Sequence, residues 1–549
     1  MKQEKKTTYD SNFMELLFAR LHDHSVNGAD AEGLSKMLEP INRLAEQASN
    51  GLNFDDEPAD FLRVMNEMKT LGIIILMSDA ILEYSLTEVA AGIRKKEFSS
   101  EEVTRNCLEK IEELQPKLNC FISVYREEAI KAAKYADKAI ASGDEIGSLH
   151  GVPLAHKDMF YRSGFISTGG SKIQREFRPS YTATVLNKLD AAGAIHVGGL
   201  NMSEFASGPA GQNEHFGDCR NPWNIECAPG GSSSGSGAAV AARLVYGALG
   251  SDTGGSVRIP SALCGLVGIK GTQGRVSRRG GMPLSFSLDC FGPLARTALD
   301  CARLFYTIAG EDKKDPTAGK EPVPDYEAMC SKEVKGVCIG IDPTFGGIKP
   351  TDEVSEMIKR TIKQYESLGA KIIEISLPDQ DELNALSNVI TRSEAATIHR
   401  KWLKEKRDDY SPQVRRRIEI GLGISATRYL EALSLRSHHL QLYNNAAFSF
   451  CDVVLLPTVG EAAPTLSEID VGDSDELPQM LRRLTGYTRP INYYGLPSIN
   501  VPGGFSSTGL PLGFQIIGRP YHEGQLFQMA AAFQHITDYH KKSPALSGT

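Results

Sequence analysis

The sequence lacks several features that mark common classes of protein. Its most apolar early segment, Gly72 to Met77, is far shorter than the roughly 20 residues that a transmembrane helix needs. The ten cysteines include no C-x-x-C pair, so neither a zinc ribbon nor a disulfide scaffold is indicated. The segment from Met1 to Asp10 is charged and polar and has no apolar signal-peptide core. We therefore expect a cytoplasmic protein without a membrane partner.

The charge balance and the missing motifs exclude further classes. A formal net charge of −8 over 549 residues offers no broad positive field for a polyanion, so no nucleic-acid partner is expected. The sequence contains no G-x-x-x-x-G-K-[ST] phosphate loop, and its 12 histidines show no H-E-x-x-H spacing. We therefore expect neither a metal nor an organic cofactor.

The hydrophobic pattern divides the chain into two parts. Residues 11–82 carry apolar positions at helical spacing, which predicts three helices. From Leu86 onward, amphipathic helices alternate with short apolar segments, a pattern typical of α/β proteins. We predict an N-terminal helical extension over residues 1–85 and an α/β domain over residues 86–549. The apolar stripes of the extension either form a homodimer interface or pack on the chain's own core.

Glycine, serine and one lysine dominate three segments of the α/β part. These are HKD at His156 to Asp158, GGSSSGSG at Gly230 to Gly237, and SDTGGSVRIP at Ser251 to Pro260. Apolar runs interrupt the glycine-rich region, so it is not a flexible linker. Together the segments resemble the amidase signature family, which the run from Ala228 to Thr272 matches almost throughout. The resemblance extends from about Leu86 to about His535.

The resemblance implies a fold, an activity and three catalytic residues. The fold is α/β, with a large mixed β-sheet covered by helices on both faces. The activity is the hydrolysis of a small-molecule amide, in which a linear carboxylic amide is cleaved through an acyl-enzyme. By position in the motifs, the family's catalytic lysine corresponds to Lys157, its relay serine to Ser232 and its nucleophile to Ser256. Family members hold the relay serine through a cis peptide bond.

The chemistry of serine and lysine is consistent with these roles. A serine hydroxyl is a weak nucleophile and needs a base beside it, and lysine can act as a base only where burial lowers its pKa. Leu154 and Ala155 before Lys157, and Met159 and Phe160 after Asp158, supply an apolar surrounding. The alternative is a solvated lysine, or one paired with the neighbouring aspartate.

The TGGS turn offers backbone N–H groups where the oxyanion of a tetrahedral intermediate would form, and glycine allows these groups to converge. The predicted oxyanion hole consists of Thr253, Gly254, Gly255 and Ser256. Charged and hydroxyl neighbours are expected to hold the turn without touching substrate. These supporting residues are Ser233, Asp252 and Arg258.

A competing motif overlaps the glycine-serine segment. Gly231 to Gly235 also satisfies G-x-S-x-G, the nucleophile elbow of α/β hydrolases, which would make Ser233 the nucleophile. That motif requires a preceding strand, whereas the segment from Asn224 to Pro229 is polar and turn-like. The competing assignment would also leave the TGGS turn without a role, so we favour Ser256.

The identity of the amide is less constrained. The family contains free-standing amidases and the A subunit of glutamyl-tRNA amidotransferases, which hydrolyses glutamine, and carbamates and esters pass through a similar intermediate. The helical extension favours a stand-alone amidase. Ser207 and Gly208 are candidate substrate-binding residues, within a segment expected to vary between family members. The basic residues from His399 to Arg407 and Arg415 to Arg417 alternate with acidic ones, which predicts a solvated helical face.

Overall fold

The structure is a computed structural model that describes residues 81–472 and 474–546. The predicted helices and homodimer element within residues 1–80 lie outside the described residues. Ile81 and Leu82 are buried in the core of the α/β part, and the Arg296 guanidinium donates a hydrogen bond to the Leu82 carbonyl at 2.9 Å. Residues just before the predicted boundary at 85 therefore already pack against the α/β part.

The strands are short, and most of them are buried along their whole length. They are β1 (Phe121–Val124), β2 (Pro153–Lys157), β3 (Ile195–Leu200), β4 (Gly247–Asp252), β5 (Val267–Lys270), β6 (Cys290–Ala295), β7 (Cys338–Ile341), β8 (Lys371–Glu374), β9 (Val453–Pro457), β10 (Ser498–Phe505) and β11 (Pro511–Ile517).

Helices connect most of these strands. They are α1 (Leu86–Lys95), α2 (Ser100–Leu118), α3 (Arg126–Ser142), α4 (Thr184–Ala191), α5 (Ser234–Ala241), α6 (Arg258–Leu263), α7 (Ala298–Ile308), α8 (Tyr326–Cys330), α9 (Asp352–Ser367), α10 (Gln380–Glu405), α11 (Pro412–Glu419), α12 (Ala426–Tyr443), α13 (Leu466–Ile469), α14 (Leu477–Thr485), α15 (Arg489–Tyr494) and α16 (Glu523–Ile536). None of the described helices combines the length and the apolar character that crossing a membrane requires.

The strands form one 11-stranded mixed sheet in the order β1-β3-β2-β4-β6-β5-β10-β11-β9-β7-β8. Strands β3, β2 and β4 run parallel, as do β9, β7 and β8, and the strands between β4 and β9 pair antiparallel. The predicted fold class, a large mixed sheet with helices, is confirmed.

Successive residues of single strands pack into different hydrophobic clusters. In β2, Leu154 belongs to one cluster and Ala155 to another, and Leu455 and Leu456 divide in the same way in β9. Because neighbouring side chains of a strand point to opposite faces, both faces of the sheet are covered. The sheet is therefore shielded from water on both faces, and this shielding reduces the hydration of charged groups at its strand ends.

Candidate active site

Lys157 is the last residue of β2 and is only 1% exposed. Its Nζ donates hydrogen bonds to the Ser232 hydroxyl at 2.7 Å and to the Ser251 hydroxyl at 2.8 Å. Ser251 lies near the end of β4, which runs parallel to β2 and beside it, so the carboxyl ends of the two strands bring the two side chains together. Lys157 makes no ion pair with Asp158, whose carboxylate instead accepts from Thr168.

Burial controls the charge of this lysine. Removal from water disfavours the ammonium form and lowers the pKa of Lys157 to about 7, although the negative charges of Asp289 and Asp252 oppose the shift. At neutral pH a large fraction of the side chain is therefore an uncharged amine with a free electron pair. A neutral amine hydrogen-bonded to a serine hydroxyl can accept a proton from it.

Ser232 is completely buried between the amine and the rest of the glycine-serine segment. The Gly231–Ser232 peptide bond is cis, the isomer that the family resemblance implies. A side chain at Gly231 would place its Cβ 2.7 Å from the Gly208 carbonyl oxygen. Gly230 has a φ of +82°, a conformation that L side chains rarely adopt. The two glycines therefore allow the chain to pass close to its neighbours just before the serine.

Ser256 lies in the turn between β4 and α6 and is half-buried. Together with Thr253 and Gly254 it lines a cavity that is also bordered by Gly208. Gly255 has a φ of +127°, and a Cβ there would overlap the Thr488 side chain. Only glycine fits this position without displacing its neighbours.

One of the four predicted oxyanion donors is engaged within the turn itself. The Gly255 N–H donates to the Asp252 carboxylate at 2.8 Å, and Gly255 does not line the cavity. Thr253, Gly254 and Ser256 do line it. The turn can therefore present at most three of the four predicted N–H groups to a reacting carbonyl.

Asp252 and Arg258 form a completely buried ion pair beneath this turn, with 3.0 Å between Arg258 Nη2 and Asp252 Oδ1. Burial by itself would raise the pKa of Asp252, but the charge and hydrogen bonds of Arg258 outweigh it and hold the pKa at about 2. Asn492 donates a further hydrogen bond to the carboxylate at 3.0 Å. The pair contacts the turn from below and does not line the cavity.

Ser233, the nucleophile of the competing motif, is directed away from the cavity. Its hydroxyl donates to the Ser251 carbonyl and accepts from the Ser251 N–H, both at 3.3 Å, and the residue is 0% exposed. No strand precedes it, because the described chain between 201 and 233 contains only turns, isolated β-bridges and a short helical segment. A hydroxyl enclosed in this way is not available to attack a bound substrate.

Known proteins place these observations in a family. The family model described as Amidase matches residues 102–527, which is most of the chain. The chain belongs to the amidase family. It is accordingly a hydrolase that acts on C–N amide bonds.

Several relatives resemble this amidase over most of its length. The A subunit of glutamyl-tRNA(Gln) amidotransferase from Pseudomonas syringae pv. tomato is 39% identical over 485 residues, covering 84% of this chain and 99% of that protein. The solved structure of the corresponding protein from Thermotoga maritima is 33% identical with a TM-score of 0.72, covering 84% of this chain and 97% of that one. A bacterial aryl acylamidase of the amidase signature family is 26% identical with a TM-score of 0.77, covering 85% and 99%.

The predicted substrate-binding residues of the amidase border two adjoining cavities. Gly208 lines the cavity that contains Ser256, whereas Ser207 lines the adjoining one. Ser207 and Gly208 also line a larger cleft of about 600 Å³, whose lining includes the acidic residues Asp218 and Asp470. Neither Ser256 nor Lys157 lines that cleft. A substrate that contacts Ser256 would therefore do so in the smaller of the cavities.

The predicted solvated face of the amidase is confirmed for most of its basic residues, since Arg400, Lys401, Lys404, Lys406 and Arg407 are exposed, but two residues depart from it. His399 is completely buried, and its Nδ1 lies 2.9 Å from the Tyr410 hydroxyl. Arg415 and Arg416 do pair with acidic residues at the surface, but Arg417 points into both cavities beside Ser256. The alternation of acidic and basic residues does not distinguish the one arginine that turns inward.

No functional role was predicted from the sequence for three residues around the site. Ser251, the second hydroxyl held by Lys157, lies within the SDTGGS motif, but the family resemblance assigns it no role. Arg392 and Arg489 line the same cavities as Arg417 and belong to distant parts of the sequence. The position of Ser251 beside Asp252, at the end of a strand, is the sequence signal that could have identified it. No neighbouring residue in the sequence indicates that Arg392 or Arg489 lines the cavities.

The buried ion pair leads to a stability prediction for the amidase. Replacing Arg258 with methionine leaves the Asp252 carboxylate buried without its counter-charge, which should lower the free energy of unfolding by about 3–5 kcal/mol. Urea unfolding followed by circular dichroism measures the change. Arg416→Met, which removes only an exposed pair with Asp475, is the matched control and should shift the free energy by less than about 1 kcal/mol. Equal losses in the two variants would contradict the prediction.

Proposed function

We propose that the chain is a stand-alone amidase whose nucleophile is Ser256, with Ser232 as the proton relay and Lys157 as the base. The observation that carries the proposal is the buried Lys157 amine, 2.7 Å from the Ser232 hydroxyl. A buried lysine with a lowered pKa that contacts a serine, beside a cavity lined by another serine, is equipped for nucleophilic catalysis.

The proposed reaction has two stages. As the Ser256 oxygen bonds to the amide carbon, its proton passes to Ser232, whose own proton passes to the neutral Lys157 amine. The carbonyl oxygen takes up the electron pair of the broken π bond, and N–H groups of the Thr253, Gly254 and Ser256 turn stabilise its charge. The intermediate then collapses, the C–N bond breaks, and Ser232 protonates the departing nitrogen while Lys157 reprotonates Ser232. A water molecule then attacks the acyl-enzyme with the same proton transfers, and the carboxylate product is released.

A second candidate is a glutaminase that supplies ammonia to a partner, as in the amidotransferase A subunits. The 39% identity to one of these proteins over nearly its whole length favours this candidate. The catalytic chemistry is the same, because glutamine is itself a carboxylic amide. Hydrolysis of a carbamate or an ester would also use the same intermediate, so the substrate separates the candidates.

A hydrolysis panel tests these candidates. The full chain would be incubated with anilides, aliphatic amides, carbamates, esters and glutamine, with the Ser256→Ala variant as the blank. We expect release of amine or ammonia from at least one linear amide other than glutamine. Activity confined to glutamine would overturn the stand-alone assignment in favour of the glutaminase, and activity on carbamates or esters alone would move the enzyme to another class of the family.

We also propose a cytoplasmic location and keep the homodimer as a prediction. All ten cysteines are free, and every one except the half-buried Cys338 is buried. Unpaired thiols in this number are typical of a reducing compartment. The homodimer rests only on the apolar stripes of residues 11–82. Measuring the mass in solution of the full chain and of a variant without residues 1–80 would test it, and an unchanged oligomer would contradict it.

A further inference from the structure

A short loop before β6 lies against the turn that carries Ser256. It runs from Leu284 to Asp289, and Leu284 lines both cavities beside the nucleophile. Asp289 is only 4% exposed, and it belongs to the lining of neither cavity. Any effect of Asp289 on the reaction must therefore pass through the residues that it holds or through its charge.

The carboxylate of Asp289 joins the loop to the turn. Its Oδ1 accepts a hydrogen bond from the Thr253 hydroxyl at 2.5 Å. The same carboxylate accepts from the backbone N–H of Leu284 at 3.0 Å and from that of Ser285 at 3.1 Å. It acts towards all three groups as an acceptor, as an ionised carboxylate does. One buried side chain thus holds both the first residue of the predicted oxyanion hole and the wall of the cavity.

The turn depends on outside contacts for its shape. Gly254 and Gly255 have no side chains, and glycine restricts backbone rotation less than any other residue. Thr253 is the one residue of these three with a side chain by which the turn can be held. The Gly254 carbonyl is held separately, because it accepts from the Thr488 hydroxyl at 2.7 Å. The hydrogen bonds at Thr253 and at the Gly254 carbonyl lie on either side of the Gly254 N–H and limit its direction.

A second buried carboxylate holds the loop itself. Glu394 of α10 is 1% exposed and accepts from the Ser285 hydroxyl at 2.5 Å and from the Ser287 N–H at 2.9 Å. The Tyr429 hydroxyl of α12 donates to the same carboxylate at 2.8 Å. Asp289 is therefore attached to a fixed loop and can resist a movement of the turn.

Asp289 also acts on the proposed base by its charge. Burial lowers the pKa of Lys157, and of the two negative charges that oppose this shift, that of Asp289 is the larger and that of Asp252 the smaller. Asp252 is balanced by the Arg258 guanidinium at 3.0 Å, whereas the donors that hold Asp289 are neutral. The charge of Asp289 is therefore the less screened of the two.

The other titratable groups around these two residues are engaged or uncharged. The Cys290 thiol next to Asp289 is neutral, because burial raises its pKa. The charged groups have partners of their own: Asp158 accepts from Thr168, Arg278 donates to the Phe286 carbonyl, and Lys270 donates to the Gly271 carbonyl at 3.0 Å. A change at Asp289 is therefore expected to act on Lys157 directly.

We propose that Asp289 is a positioning residue, which holds Thr253 so that the Gly254 N–H faces the developing oxyanion and which keeps a negative charge near Lys157. The inference rests on the proposed function of Ser256 as nucleophile and Lys157 as base. The carbonyl oxygen gains its negative charge only as the tetrahedral intermediate forms, so a misdirected N–H group weakens the transition state more than the bound substrate. Loss of the Thr253–Asp289 hydrogen bond should therefore lower kcat more than it changes KM.

Two substitutions at Thr253 separate the hydrogen bond from the space that the side chain fills. Thr253→Val keeps the shape and loses the hydroxyl, so kcat for the best amide of the panel should fall about 10–100-fold, somewhat less than the loss of a whole oxyanion donor costs. KM should change by less than about threefold. Thr253→Ser keeps the hydroxyl and should keep kcat within about threefold of wild type. An equal fall in both variants would contradict the role of the hydrogen bond.

Asp289→Asn tests the effect of the charge. Asparagine has nearly the same shape and can still hydrogen-bond, but it carries no charge. Because only neutral Lys157 can act as the base, kcat/KM should rise with pH through the pKa of this lysine. Loss of a nearby negative charge disfavours the ammonium form and lowers that pKa, so the rising limb should move to lower pH by about one unit. A merely structural residue would lower the plateau without moving the limb.

A second buried threonine–aspartate pair provides the control. Thr87 donates to the Asp300 carboxylate from its hydroxyl at 3.0 Å and from its N–H at 2.9 Å, and Asp300 is 0% exposed. Thr87→Val and Asp300→Asn should lower Tm but keep the wild-type kcat and pH profile. In the double variant Thr253→Val with Asp289→Asn, kcat should fall no further than in the more damaged single variant, because both changes break one hydrogen bond.

Labelling of Ser256 by a fluorophosphonate separates failure of this inference from failure of the proposed function. If the wild-type enzyme is labelled and hydrolyses an amide, but Thr253→Val keeps its kcat and Asp289→Asn leaves the rising limb in place, the positioning role is overturned and the nucleophile stands. Where Thr253→Val does not fold, the pH profile of Asp289→Asn alone decides. If the wild-type enzyme is neither labelled nor active on any amide, the proposed function itself fails.

Discussion

Replacing Ser256 with alanine is expected to lower kcat for amide hydrolysis by on the order of 10⁴-fold or more, leaving the fold intact. The alanine removes the oxygen that we propose forms the acyl-enzyme, while the half-buried position loses only a hydroxyl. The measurement is steady-state kinetics with the best amide from the panel. Thermal unfolding of the same variant shows whether the fold has survived, and a Tm within a few degrees of wild type is expected.

Ser233→Ala is the matched control for this prediction. Its hydroxyl exchanges hydrogen bonds with the Ser251 main chain and has no exposed surface. Loss of these bonds should cost about 1 kcal/mol of stability, with a small effect on kcat. Near-total loss of activity in Ser233→Ala together with an active Ser256→Ala would reverse the assignment of the nucleophile.

Replacing Lys157 with methionine should lower kcat by about 10³–10⁴-fold, because the side chain keeps its length and loses the amine proposed as the base. The wild-type enzyme should show kcat/KM rising with pH through about 7 and then levelling off. The direction follows from the chemistry, since only the neutral amine accepts a proton and the fraction of neutral amine increases as pH rises through the pKa. The variant should lose this rising limb along with its activity.

A second buried lysine provides the control. Lys270 in β5 is 0% exposed, but its Nζ donates to the Gly271 carbonyl at 3.0 Å instead of to a serine hydroxyl. Lys270→Met should therefore keep the rising limb near pH 7, even if its stability falls. A wild-type profile without a transition between pH 6 and 8, or a fully active Lys157→Met, would contradict the role of Lys157 as base.

The sequence is sufficient to identify Lys157, Ser232 and Ser256 as candidates because each lies in a short motif whose local conformation is demanding. The turn at Gly255 needs a positive φ and leaves no room for a Cβ, so only glycine is compatible with this position. The glycine in the sequence therefore indicates the turn. The α/β class is predictable for a different reason, since apolar segments alternate with amphipathic helices over several hundred residues, whereas the mixed sheet follows only from the family resemblance.

The cavity is not predictable in the same way. Arg392, Arg417 and Arg489 meet only through the packing of three helices, and nothing in the residues next to each of them indicates which face of its helix will turn inward. Arg416 and Arg417 are adjacent and chemically identical, yet one pairs at the surface and the other faces the site. A basic run in a helix predicts solvent exposure on average, and the exceptions depend on tertiary contacts.

The order of these residues along the chain has a consequence for how such an enzyme can change. The proposed base, relay, nucleophile and ion pair all lie between Lys157 and Arg258, whereas the three arginines that line the cavities lie between Arg392 and Arg489. A single recombination crossover in the largely exposed segment between Glu311 and Tyr326 would separate these two groups of residues. Chimeras joined there would combine the catalytic residues of one family member with the corresponding cavity residues of another.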